Sequence, residues 1–337
     1  MRGRRGATRG ASLALAAASA VWLACGAGAA AEEKSPPSGW LGEGEWRSDP
    51  ESDAPGVLFE DAERAEEIAR AGGSAKAMRR AAEAYAACAT RFPLAPRAEE
   101  ASVRRARCLL DAGAPGEALA VVRSHLERFP ETPHLHALVE IAVEAGERWL
   151  GAGHPRTRCE NAGRALDAFE LADEWLPYGE LAARARLGQA RAYAVRDQMP
   201  RSRRAYLEFL ERFARSRLTP VARSELAAVS LACEPERPAS GAVLAEARAA
   251  LRLARTRAQA LDLPESVLAR IDAHSRRAAE EEAEQLLARA RFYRRAGAPQ
   301  SARFCLERLL EGHPKAACAV EARAALERLG APGEDRP

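Results

Sequence analysis

The side chains with chemical potential in this 337-residue chain include seven cysteines and six histidines, and their spacing limits what they can do. Cys25, Cys88, Cys108, Cys159, Cys233, Cys305 and Cys318 form no C-x-x-C pair, which removes the commonest zinc and dithiol signatures. Cys88 and Cys305 fall on apolar faces of expected helices, where free cysteine behaves as a small hydrophobe. His134 and His136 stand two apart after Pro133, at the start of an expected helix, so they point to different faces and read as helix-end residues, not a metal pair. A nucleophile elbow, a P-loop and an H-E-x-x-H motif are all absent from the sequence. Gly39, Gly42 and Gly44 follow no strand and open no helix, so they are no dinucleotide fingerprint. The sequence therefore assigns no catalytic, cofactor-binding or metal-binding residue, and a non-enzymatic protein without cofactors is expected.

One cysteine has a chemical context. Arg2, Arg4, Arg5 and Arg9 precede an apolar run from Ala11 to Ala24, and no acid appears before Glu32, the layout of an export signal. The run is too short for a bilayer-spanning helix, which needs roughly 20 apolar residues. It ends in Ala24-Cys25-Gly26, which resembles a bacterial lipobox, with Trp22 where such boxes usually carry leucine. Residues 1–24 are accordingly expected to be a lipoprotein-type signal peptide, with Cys25 the lipidated first residue of the mature chain. The alternative is an ordinary signal cleaved after Ala27-Gly28-Ala29, which discards Cys25. A lipid on Cys25 would hold a soluble body against a membrane surface without inserting it. The four arginines also account for the charge. The whole chain carries +3, but without them 47 cations face 48 acids, so no nucleic-acid partner is expected.

Residues 25–55, rich in Ser, Gly, Pro and acids, read as a flexible tether. Trp40 and Trp46 are out of character there and are expected to dock on the domain that follows. Residues 331–337 read as a disordered tail.

Between these ends the composition points one way. Aromatics make up only 5% of the chain, and of its 51 cations only Lys34, Lys76 and Lys315 are not arginine. Alanine, leucine, arginine and glutamate are strong helix formers, so residues 56–330 are expected to be helical. The charge runs Arg104-Arg105 and Glu280-Glu281-Glu282 read as solvated helix faces with i,i+4 pairs.

A repeat organises the helices. Two small residues 12 apart, followed after 12 more by a chain-breaking position, recur as Ala69, Ala81, Pro93 and as Ala106, Ala118, Pro130. The frame continues as Gly153, Ala165, Pro177, then Ala190, Ser202, Ala214, and last Ala290, Ala302, Pro314. Four residues after the second small position stand Tyr85, Val122, Phe169, Tyr206 and Leu306, and just before the breaker stand Phe92, Phe129, Leu176, Phe213 and His313. Such a frame describes helical hairpins: small side chains let two helices approach, bulky ones fill the space between hairpins, and proline stops the second helix. The turns Ala112-Gly113-Ala114-Pro115 and Ala296-Gly297-Ala298-Pro299 match residue for residue, with Gly closing one helix and Pro opening the next. In the third unit Gly153 sits between Gly151 and Pro155, so its first helix is expected over 134–150, with an insertion after it. Residues 220–233 and 241–261 read as a helix and its partner, and 264–296 as one or two long helices.

The order of small, small and proline positions resembles the tetratricopeptide repeat, whose period is about 34 residues. That resemblance implies an all-α, right-handed superhelix of helical hairpins, with about five clear units and one or two degenerate ones. An export signal, a candidate lipid cysteine, a tether and such units together resemble the BamD/YfiO family of outer-membrane lipoproteins. "YAACATRFPLAP" from Tyr85 to Pro96 is similar to that family's first unit, and the segment from Ala288 to Pro314 to its last. The resemblance implies a scaffold on the periplasmic side of the outer membrane. Its partners would be β-barrel assembly components and unfolded outer-membrane protein segments. A soluble periplasmic adaptor in envelope maintenance or division is the alternative, and a peptidoglycan-acting enzyme a remote one.

Overall fold

Alanine at the crossing points decides how the helices pair. The computed structural model describes residues 40–41, 45–46, 54–95, 97–152, 156–232 and 240–330. Thirteen helices lie among them: α1 (Ala54–Gly72), α2 (Ala75–Arg91), α3 (Ala98–Asp111), α4 (Pro115–Arg128), α5 (Leu135–Gly151), α6 (Arg158–Trp175) and α7 (Glu180–Val195), then α8 (Met199–Arg212), α9 (Thr219–Ala232), α10 (Gly241–Ala260), α11 (Glu265–Arg295), α12 (Pro299–Gly312) and α13 (Ala319–Gly330). Each packs on the next, giving six hairpins and a closing helix, an all-α solenoid of tetratricopeptide-like hairpins.

The alternate helices fall into two layers. In the odd layer α3 touches α5, α5 touches α7 and α9 touches α11, whereas in the even layer the main alternate contact is α4 with α6. The odd helices approach one another more closely, so theirs is the inner layer of the solenoid.

Local chemistry sets the turns. Gly113 and Gly297 have φ of +76° and +70°, and in both turns the last alanine, Ala114 or Ala298, donates its N–H to the carbonyl five residues back, Leu109 or Tyr293. The same closing bond, Gln198 to Tyr193, is made with Asp197 in the left-handed position at φ 58°. Pro115, Pro200 and Pro299 occupy first-turn positions of α4, α8 and α12, where no N–H is needed.

The hydrophobic core runs along the solenoid in successive stretches. The largest extends from Phe59 on α1 to Leu181 and Ala185 on α7; a second joins α7, α8 and α9. A third lies among α9, α10 and the front half of α11, and a fourth joins the rear half of α11 to α12 and α13.

The stretch up to Asp53 forms a separate unit. Within it β1 (Trp40–Leu41) and β2 (Glu45–Trp46) pair antiparallel, with Trp40 opposite Trp46. These two strands lie within the stretch read as a flexible tether. Cys25, the signal region, Cys233 and residues 331–337 lie outside the described residues.

Candidate functional site: the odd-helix face

The repeat frame marks the contacts that build this face. Ala69, Ala81, Ala106, Ala118, Ala165, Ala190, Ser202, Ala290 and Ala302 are all buried. In the fourth unit the two small positions meet directly, the Ser202 hydroxyl donating to the Ala190 carbonyl at 2.8 Å. Pro93, Pro130, Pro177 and Pro314 each stand one residue beyond a helix C-cap, at Phe92, Phe129, Leu176 and His313. Ala214, in the same place after Phe213, is exposed.

The third unit departs from uniform spacing. Gly153 lies outside the described residues, beyond the end of α5 at Gly151. Gly146 stands five residues before that end, as Ala106, Ala190 and Ala290 stand five before the ends of α3, α7 and α11. The extra residues between α5 and α6 displaced the apparent frame.

The bulky column on the even helices reaches into the odd layer, its two tyrosines each meeting the residue 19 positions further on or back. Tyr85 donates its hydroxyl to Glu66 at 2.6 Å, and Arg104 lies 3.4 Å from the same carboxylate oxygen. Arg70 holds the other oxygen at 2.5 Å. Tyr206 donates to Glu225 at 3.0 Å, with Arg191 fork-bonded to both carboxylate oxygens at 2.8 Å and Arg270 at 3.5 Å. Burial first, then the neighbouring carboxylate, pushes both tyrosine hydroxyls far above their ordinary range, so they act as permanent donors. Phe169, in the same column, instead lies against Gly146 and Gly188.

These carboxylates belong to a ladder. Arg104 joins α3 to Glu63 and Glu66 of α1; Arg107 reaches Glu144 of α5 at 2.8 Å, and Arg148 of α5 reaches back to Asp111 at 3.3 Å. Arg184 joins α7 to Glu147 at 2.7 Å, Arg191 and Arg270 converge on Glu225 of α9 from α7 and α11, and Arg291 joins α11 to Glu321 of α13 at 2.6 Å. Every neighbouring pair of odd helices is thus bridged. The expected i,i+4 pair is present, Arg104 with Glu100, and Arg104 also pairs with the helix one repeat back. Glu282, from the acidic run, meets Arg248 on α10 and His313 on α12. Fully exposed pairs contribute little, but networks of half-buried, fork-bonded arginines fix geometry. The odd face is therefore a polar strip of alternating arginine and carboxylate, rigidly spaced by the repeat.

No group of three or more metal-ligating side chains occurs among the described residues, and His134 and His136 take part in none. One constellation has the ingredients of a hydrolase: His125 Nε2 lies 3.2 Å from the Thr132 hydroxyl, which donates to Glu99 at 3.1 Å. Its order is wrong for acyl transfer. The acid holds the hydroxyl instead of the imidazole, and His125 Nδ1 is buried without a partner. The buried Cys88 and Cys108 are equally quiet. Cys88, Cys108, Cys159, Cys305 and Cys318 are free, and burial raises the thiol pKa of Cys88 and pushes that of Cys108 up to about 12. Thiols raised in this way stay protonated and unreactive at neutral pH. No described helix is long and apolar enough to cross a membrane.

No family model matches the chain, and no curated protein matches it. Among solved structures it is similar to TTC0263, a thermophilic TPR protein of Thermus thermophilus, at 18% identity over 65% of this chain and 98% of that one, TM-score 0.35. PilW, a type IV pilus biogenesis factor, matches at 16% identity over 81% of this chain and 99% of that one, TM-score 0.35. A tetratricopeptide repeat protein from Parabacteroides merdae matches at 14% identity over 82% of this chain and all of that one, TM-score 0.26. At these scores the likenesses carry no argument, and the helical-repeat architecture rests on the chain's own hairpins.

Proposed function

We propose that the chain is a non-enzymatic scaffold of the cell envelope, resembling the BamD/YfiO lipoproteins. In this reading lipid on Cys25 holds it at the periplasmic face of the outer membrane. It binds β-barrel assembly components, or extended segments of unfolded outer-membrane proteins, along the odd-helix face. The observation that carries the binding role is the unbroken arginine–carboxylate ladder, which keeps one long polar face in register over seven helices. An extended peptide offers unpaired backbone donors and acceptors, and fixed charged groups at repeat spacing suit it. The Ala24-Cys25-Gly26 sequence after a basic and apolar leader supports the anchor.

Two measurements test this. Mass spectrometry of the mature N-terminus should find a lipid-modified Cys25, and affinity capture from membranes should recover barrel-assembly proteins, with recovery lost in Cys25→Ala. An unmodified start at Ala30 defeats the anchor. The Ala27-Gly28-Ala29 site and Trp22 favour a second reading, a soluble periplasmic adaptor. Capture of division or peptidoglycan proteins without any barrel-assembly component would establish it. Release of muropeptides by the purified protein would overturn the non-enzymatic assignment.

A further inference from the structure

In the even layer, ion pairs bridge α2 to α4 and α6 to α8 among the described residues. Arg79 of α2 pairs with Glu117 of α4 at 2.8 Å, α4 touches α6, and Arg212 of α8 pairs with Asp173 of α6 at 3.3 Å. Between α8 and α10 no hydrogen bond or ion pair is formed among the described residues, and a cavity of about 570 Å³ opens there over α9.

Its two side walls share one spacing. Pro200, Arg203, Arg204 and Leu207 line it from α8, and Val243, Glu246, Ala247 and Ala250 from α10, both at i, i+3, i+4, i+7. Leu226, Ala227, Ser230 and Leu231 of α9 form the floor. Ridges at this spacing accept the ridges of another helix, and three of the four floor residues are apolar, as a helix-in-groove site requires. Leu207 is 46% exposed on the wall, although it is a leucine directly after the buried Ala205 and Tyr206. The charges on the two walls are opposite in sign but form no ion pair with each other across the groove. Arg204 is held by Glu208 at 2.9 Å, while Arg203 on the α8 wall and Glu246 on the α10 wall have no ion-pair partner among the described residues.

We infer that the groove between α8 and α10 docks an amphipathic helix of a partner protein, apolar along the stripe that meets α9, acidic on the flank beside Arg203 and basic on the flank beside Glu246. The site is on the outer layer, so it is separate from the odd-helix face, and its test does not depend on that face binding anything.

The probe is a fluorescent synthetic helix of about 18 residues, five turns. It carries leucine at i, i+3, i+4, i+7 and i+11, glutamates along one flank and lysines along the other. A second peptide carries lysines on both flanks. Anisotropy with the full chain should show the first binding about fivefold more tightly. Arg203→Glu should erase or invert that preference. Leu207→Glu should weaken the first peptide about tenfold, while Phe304→Glu on α12, more exposed than Leu207 and not among the groove's lining residues, leaves it unchanged. Circular dichroism checks that the variants fold. Absence of binding, indifference to Leu207→Glu or Arg203→Glu, or sensitivity to Phe304→Glu overturns the inference. So does sedimentation showing a dimer of this chain that Leu207→Glu dissolves, because the groove would then belong to a second copy.

Discussion

The ring of Phe169 fills the space that a β-carbon on Gly188 would need, and the same ring lies 2.6 Å from where a β-carbon on Gly146 would stand. An aromatic on α6 is thus seated between two glycines on α5 and α7. Alanine is ordinarily the better helix former by about 1 kcal/mol, yet here Gly188→Ala should destabilise by about 1–3 kcal/mol because the fully buried ring cannot retreat. Denaturant unfolding would measure it. Combining Gly188→Ala with Phe169→Leu should cost less than the sum of the two changes, the signature of direct contact.

The two tyrosine–glutamate pairs should respond unequally. Glu66 is 2% exposed and Glu225 12%, and Glu225 keeps the fork of Arg191 when its tyrosine is lost. Tyr85→Phe should therefore cost about 1–2 kcal/mol and Tyr206→Phe less, compared by chemical denaturation under the same conditions.

Mild acid should weaken the fold. Burial holds the imidazoles of His125 and His274 below their ordinary value of 6.5, with Glu99 partly opposing this at His125 and Glu225 at His274. The unfolded chain then binds more protons than the folded one, so the stabilisation is complete above pH 6.5 and is lost as pH falls through the folded-state values. Melting temperature should drop between about pH 6.5 and 5, and the drop should flatten in His125→Gln/His274→Gln. An unchanged slope in that double variant would remove these histidines as its source.

Asp197 holds the left-handed position that Gly113 and Gly297 hold in the equivalent turns. Asp197→Gly should stabilise by about 0.5 kcal/mol, and Gly113→Ala should cost about 1 kcal/mol, since only glycine takes this conformation without a steric penalty. Thermal melts of the two variants should move in opposite directions.

The hairpins could be read in the chain because their determinants are local: Ala106 and Ala118 mark one crossing, and the Gly113 and Pro115 turn fixes the reversal. In the third unit the helix expected over 134–150 is α5, Leu135–Gly151, but the uniform count put the small position at Gly153 and hid Gly146. The ladder was invisible for a different reason. Arg107 and Glu144 lie one full repeat apart, and in a chain carrying 51 cations and 48 acids such a pairing is one among many until the helices are in place. The α8–α10 groove was hidden likewise, because an opening is set by how far two non-consecutive helices diverge, and no single segment encodes that.

α11 is 31 residues long, about 46 Å at the helical rise, and no other described helix approaches it in length. Its front half, with Ile271 and Ala278, is packed with α9 and α10, and its rear half, with Leu286, Leu287 and Ala290, with α12 and α13. Glu282 sits between the halves, pinned to Arg248 on one side and His313 on the other. The last two cores are therefore strung on one continuous rod: α9 and α10 seat on its front half and α12 and α13 on its rear half, so a single helix is the common axis of both.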